Sequence, residues 1–154
     1  MNVLHEAPST EQRKSARAWF GRAWLGLAGA LALHVTDEAL TDFLSVYNPA
    51  VRAIREQWPW VPLPTFSFGE WIGGLAAGIV LLFALSPLAF RGRRWIVVVA
   101  MPFSIMMTAN GLGHVGSSLY TGRFMPGVYS SPVLMAASLF TFICALRLAR
   151  IQRE

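Results

Sequence analysis

Apolar residues fall into four long runs separated by short polar breaks. The first extends from about Trp19 to Tyr47, a stretch that reads as one helical span. The second covers about 69–90. From Trp71 to Phe90 it carries no charge, enough to cross a hydrocarbon layer of ~30 Å. Arg91, Arg93 and Arg94 stop it. The third covers about 95–120 and ends in the turn Gly122-Arg123-Phe124-Met125-Pro126-Gly127. The fourth covers about 128–146 and is closed by Arg147, Arg150 and Arg153. Between the first two runs, Pro59, Pro62 and Pro64 prevent a regular helix. Within this outer loop, Val51–Trp58 is predicted as a short interfacial helix, with Trp58 and Trp60 at headgroup level. The pattern predicts an all-α, integral membrane four-helix bundle forming one domain over residues 1–154.

Composition supports this. The chain has 55% hydrophobic and 14% charged residues and a mean hydropathy of +0.47. Soluble domains carry about 25% charge. A soluble enzyme, a disordered chain and a disulfide scaffold are therefore excluded, the last also because Cys144 is the single cysteine. The net charge of +5 does not form a nucleic-acid stripe. Instead Arg13, Lys14, Arg17, Arg22, Arg91, Arg93, Arg94, Arg147, Arg150 and Arg153 share one edge, against Arg52, Arg55 and Arg123 on the other. Positively charged residues concentrate on the cytoplasmic side. Both termini are thus expected in the cytoplasm, residues 1–17 as a polar tail, and the protein in the inner (plasma) membrane. Ala28-Gly29-Ala30 lies inside the first apolar core rather than after it, so cleavage of a leader is not expected.

The exceptions to apolarity point to chemistry. The first span contains His34, Asp37, Glu38 and Asp42. At about 100° per residue, Glu38 lies about 40° from His34 and Asp37 about 60° to the other side. An ionised acid at the centre of a span costs roughly 2.5–3.5 kcal/mol. These groups must therefore face the bundle interior or a wet cavity. The third span supplies Asn110 and His114 on one face, followed by Ser117 and Ser118. At about 1.5 Å per residue, His34 and Asn110 lie at similar depth. Glu70 and Arg123 stand at the same level; Glu70 also suits a helix start, and Arg123 an interfacial anchor. Asp42 either joins the site or reaches the interface. Gly74-x-x-x-Gly78 allows close approach of another helix, expected within the molecule. The glycines of Gly111-x-Gly113 are expected to allow close packing beside His114.

Three stretches, His34-x-x-Asp37-Glu38, Asn110-x-x-x-His114 and Arg123-x-x-Pro126-Gly127, occur in this order across most of the chain. Together they resemble the HXXEE domain family of small bacterial membrane proteins. The resemblance implies four membrane helices, a His-x-x-Glu-Glu signature on the first, and an enzyme whose reaction is unassigned. Asp37 stands where the family has its first Glu, which shortens the reach of that carboxylate by one methylene.

Two imidazoles and two or three carboxylates suit Zn or Fe. The first expectation is a metal-dependent membrane hydrolase or oxidoreductase acting on a lipid-like or amphiphilic substrate through an outward-facing site. His34, Asp37, Glu38 and His114 are the expected ligands. Asp37, Glu38, Asn110 and Arg123 are the expected catalytic residues, with Asp37 a further ligand or a general base and Asn110 an orienting group. The same residues would serve a metal-free acid–base isomerase-type enzyme or a small transporter or proton relay. A structural polar lock between helices is the remaining reading. The lipid bilayer is the expected partner, with no nucleic acid.

Overall fold

The computed structural model describes residues 8–154. Helix α1 runs over Thr10–Leu40, α2 over Phe43–Gln57, α3 over Phe68–Ala84, α4 over Ser86–Phe90, α5 over Arg94–Thr121 and α6 over Ser131–Ile151. No strand occurs among the described residues. The chain is all-helical, as its pattern indicates. Three stretches are long and apolar enough to cross a membrane: Phe68–Phe90, Arg94–Thr121 and Ser131–Ile151. Helix α1 is also long but less apolar, because Arg22 and the segment from His34 to Glu38 dilute it.

Several expected boundaries are corrected. The polar stretch assigned to a tail is instead the first turns of α1 from Thr10 onward; residues 1–7 lie outside the described part. A capping box starts the helix, with Ser9 and Gln12 each bonding the other's backbone N–H. The expected span 19–47 is not continuous. It breaks at Asp42, which has φ 57°, a left-handed conformation that Asp tolerates better than most residues. The short helix expected at Val51–Trp58 begins at Phe43 and carries Pro49 inside it. The second span is interrupted at Leu85, just before Pro87, which lacks an N–H for the ladder.

The helices assemble around α1, which packs against α3, α4 and α6, while α6 also lies along α5. At the arginine-rich end the core contains Phe20, Trp24, Ile96, Val97 and Leu148. Further along, Leu27, Ala30, Met107 and Leu134 form a second cluster. Cys144 is buried in the first. Hydrogen bonds add directional ties between helices: Thr141 Oγ1 donates to the Ala23 carbonyl at 3.0 Å, and the Trp24 indole donates to the Leu82 carbonyl at 2.8 Å. Of the two glycines expected to allow close packing beside His114, Gly111 does so towards α6, since an added Cβ would meet Met135 and the Ser131 carbonyl, whereas Gly113 faces open space. Gly74 and Gly78, by contrast, face open space, so the expected close packing inside the molecule does not occur there. The second apolar cluster lies below a polar end built from the last turns of α1 and α5 and the start of α6.

Candidate functional site

His34 and Glu38 project from the last two turns of α1 into the space between α5 and α6, and His114 projects towards them from α5. All three are nearly buried, at 1%, 5% and 9% exposure. His114 Nε2 lies 3.1 Å from Glu38 Oε1, and His34 Nε2 lies 3.6 Å from the same oxygen. The two imidazoles meet edge to face with centroids 4.9 Å apart. One ligand atom from each residue lies within 4.8 Å of the others. Ligands at ~2.0–2.1 Å from a tetrahedral ion stand about 3.3 Å from one another. The two His–Glu separations, 3.1 and 3.6 Å, are already close to that, and the two histidine ligand atoms lie within 4.8 Å of each other. The group can hold a metal ion.

Ser130 and Asp37 lie behind His34. Its Nδ1 is 2.9 Å from the Ser130 hydroxyl. That hydroxyl and the Ser130 backbone N–H both donate to Asp37 Oδ2, at 2.7 and 2.9 Å. Asp37 therefore stands one residue removed from the cluster rather than in it. The group of potential ligands is His34, Glu38 and His114, without the expected fourth. The reason is geometric: about 100° of helical rotation separates Asp37 from Glu38, and Asp37 lies against the start of α6 instead. An anionic carboxylate is favoured there by the exposed N–H groups.

Gly127 closes the site. It has φ 81° and lies in the turn between α5 and α6. A Cβ placed there would be 3.0 Å from each of Glu38 Cγ, His34 Cε1 and His114 Cε1. A side chain there would push on all three residues at once. The buried His34 Nε2 has no hydrogen-bond partner. Such an atom, aimed at a carboxylate 3.6 Å away, is what a cation would satisfy.

The remaining candidates are distributed more widely. Asn110 is exposed one turn before His114, and its side chain approaches the His34 imidazole. Arg123 is exposed and makes no ion pair or hydrogen bond with a described residue, so the structure does not bring it to the cluster. Glu70 is committed to a capping box with Ser67 at the start of α3. Asp42 is exposed at the corner between α1 and α2. Ser130, central to the geometry, was not among the residues expected from the sequence, and Gly127 was noted only within the stretch Arg123-x-x-Pro126-Gly127. Ser117 and Ser118 bond back to α5 carbonyls rather than to the cluster, and Ser118 also holds Met125 N at 2.9 Å.

A cavity of about 340 Å³ adjoins Glu38. Phe43, Phe66, Phe68 and Trp71 form much of its wall, with Asp42 and Asn48 supplying polar edges. The Phe43 ring stacks on Trp71 at 5.8 Å and lies 5.8 Å from the His114 ring. Asn48 fixes the far wall, donating to the Phe66 carbonyl at 2.9 Å and accepting from Phe66 N at 3.1 Å. Glu38 thus belongs both to the cluster and to an aromatic pocket. No protein-family model, curated protein or solved structure matches the chain.

Proposed function

We propose that the protein is an integral membrane metalloenzyme of the HXXEE type, acting on a lipid-like or amphiphilic substrate. The observation that carries this reading is the His34–Glu38–His114 group, buried, with His34 Nε2 lacking a hydrogen-bond partner. Two imidazoles and one carboxylate leave a coordination position open, as catalytic zinc sites and non-haem iron sites do. Bound there, Zn would activate water and Fe would supply redox chemistry. The three stretches that suggest the family meet at one point through His34, Glu38, His114 and Gly127, which supports the resemblance. In this reading α1 crosses the membrane as a fourth span, shielded by the more apolar helices, and both termini face the cytoplasm.

The chain's own residues divide the work. The aromatic pocket beside Glu38 receives the apolar part of the substrate, excluding water from the reacting end. Asn110, beside His34, orients its polar end. Arg123 holds the membrane surface rather than the reacting atoms, consistent with its exposure.

Elemental analysis of gently solubilised protein tests the reading. About one equivalent of zinc or iron per chain is expected, with most of it lost in His34→Ala and in His114→Ala. Active protein without stoichiometric metal would sink the proposal. Such a result would favour a metal-free acid–base enzyme, for which the 3.1 Å contact between His114 and Glu38 supplies the pair.

A further inference from the structure

The side chain of Ser130 is in an unusual situation. It occupies the N-cap position of α6, where a serine oxygen ordinarily accepts from a backbone N–H of the first turn. Here it makes no such bond. Its hydroxyl points across to α1, where it meets Asp37 Oδ2 at 2.7 Å and His34 Nδ1 at 2.9 Å, with the Gly127 carbonyl at 3.3 Å.

A hydroxyl has one proton to give. The Gly127 carbonyl can only accept. Asp37 Oδ2 already receives the Ser130 N–H, and its carboxylate is acceptor-only when ionised. The hydroxyl proton therefore goes to Asp37, the shorter contact. The Ser130 oxygen must then accept from His34, which requires a hydrogen on Nδ1. The opposite tautomer would set a serine lone pair against the carboxylate at 2.7 Å. With Nδ1 protonated, neutral His34 presents a bare Nε2 lone pair towards Glu38. That is the buried atom with no partner.

We propose that Asp37 and Ser130 form a positioning pair that holds His34 in the Nδ1–H tautomer and thereby prepares Nε2 as a metal ligand. This rests on the metal-centre reading for its purpose, though not for its geometry. It gives Asp37 a role different from ligand or general base. It also explains why a serine at a helix start forgoes its own cap: Asp37 caps α6 in its place, and the hydroxyl is released to face His34. Partners of this kind commonly change metal affinity by about 10–100-fold when removed.

The test is nitrogen-15 NMR of histidine-labelled, metal-free protein in nanodiscs, at a pH where the imidazoles are neutral. Wild type is expected to show the His34 proton on Nδ1. Ser130→Ala and Asp37→Leu should admit the Nε2–H form and weaken zinc binding, measured against a competing chelator, by about 10–100-fold. Asp37→Asn retains an acceptor oxygen and should preserve the tautomer. A proton on Nε2 in wild type overturns the proposal even if every variant fails to fold. So does an unchanged tautomer in both Ser130→Ala and Asp37→Leu. Nδ1–H in a wild type that binds no zinc would uphold the positioning pair and remove the metal-centre reading instead.

Discussion

Gly127 is held by two constraints at once. Its φ of 81° lies in the left-handed region, and its α-carbon sits against three of the site's side chains. An alanine here would combine a left-handed backbone with three tight contacts, so the neighbours must shift to admit it. Gly127→Ala is expected to lower stability by about 1–3 kcal/mol, combining backbone strain with overpacking. It should also spread His34, Glu38 and His114 apart. Thermal unfolding in detergent and zinc titration measure the two effects. An alanine variant that retained wild-type zinc affinity would show that the three side chains do not depend on this contact. At the same scale, His34, Glu38 and His114 were legible in the sequence because a polar side chain in an apolar span is expensive and needs a reason. Ser130 was not, because a serine at a helix start is ordinary. Gly127 was visible as part of a turn, but its approach to three distant residues depends on the packing of α1 against α5 and α6. Asp37 was visible as an acid, and only the fold shows which neighbour it serves.

Among the elements, α2 and the proline-rich segment after it form a unit. Pro59, Pro62 and Pro64 keep residues 58–66 from becoming helix. Asn48 then ties Phe66 back to α2, and Tyr47 donates to the Pro64 carbonyl at 3.1 Å. The aromatic wall beside Glu38 is therefore held by a side-chain amide rather than by a sheet or a helix pair. Asn48→Ala should loosen this segment locally by about 1–2 kcal/mol, the worth of two partly buried hydrogen bonds. Faster amide exchange at Phe66 and quicker proteolysis near residues 58–66 are the expected signs. Unchanged exchange would show that the ring contacts alone hold it. The existence and rough limits of α3, α5 and α6 could be read from their apolar runs. The break at Asp42 could not, because no glycine or proline marks it and an aspartate in the left-handed region leaves no pattern. The start of α2 was obscured by Pro49, which the helix accommodates inside its length.

For the whole molecule, the arginine distribution gives one end a strong positive charge, and the site lies towards the opposite end. With α1 as a fourth span, reporters fused at either terminus should register the cytoplasm, whereas a tag in the segment 58–66 should be reached from outside. A tag protected there in intact cells would reverse the orientation. The all-helical class was legible because the apolar runs are long and their ends are punctuated by charge. The central place of α1 was not: Arg22 and the segment from His34 to Glu38 make it less apolar than α3, α5 and α6, while Phe20, Trp24, Leu27 and Ala30 still pack into the core.

The contact between His34 and Ser130 joins residues 96 positions apart. During synthesis, α1 leaves the ribosome long before the turn that will satisfy its histidine and acids has been made. Until α5 and α6 are made, His34, Asp37 and Glu38 lack the partners they have in the folded chain. Completion of the site is thus coupled to completion of the chain, although α1 can pack against α3 and α4 before the last two helices are made. The polar groups gathered from α1, α5 and the start of α6 meet only when the last part of the chain is present.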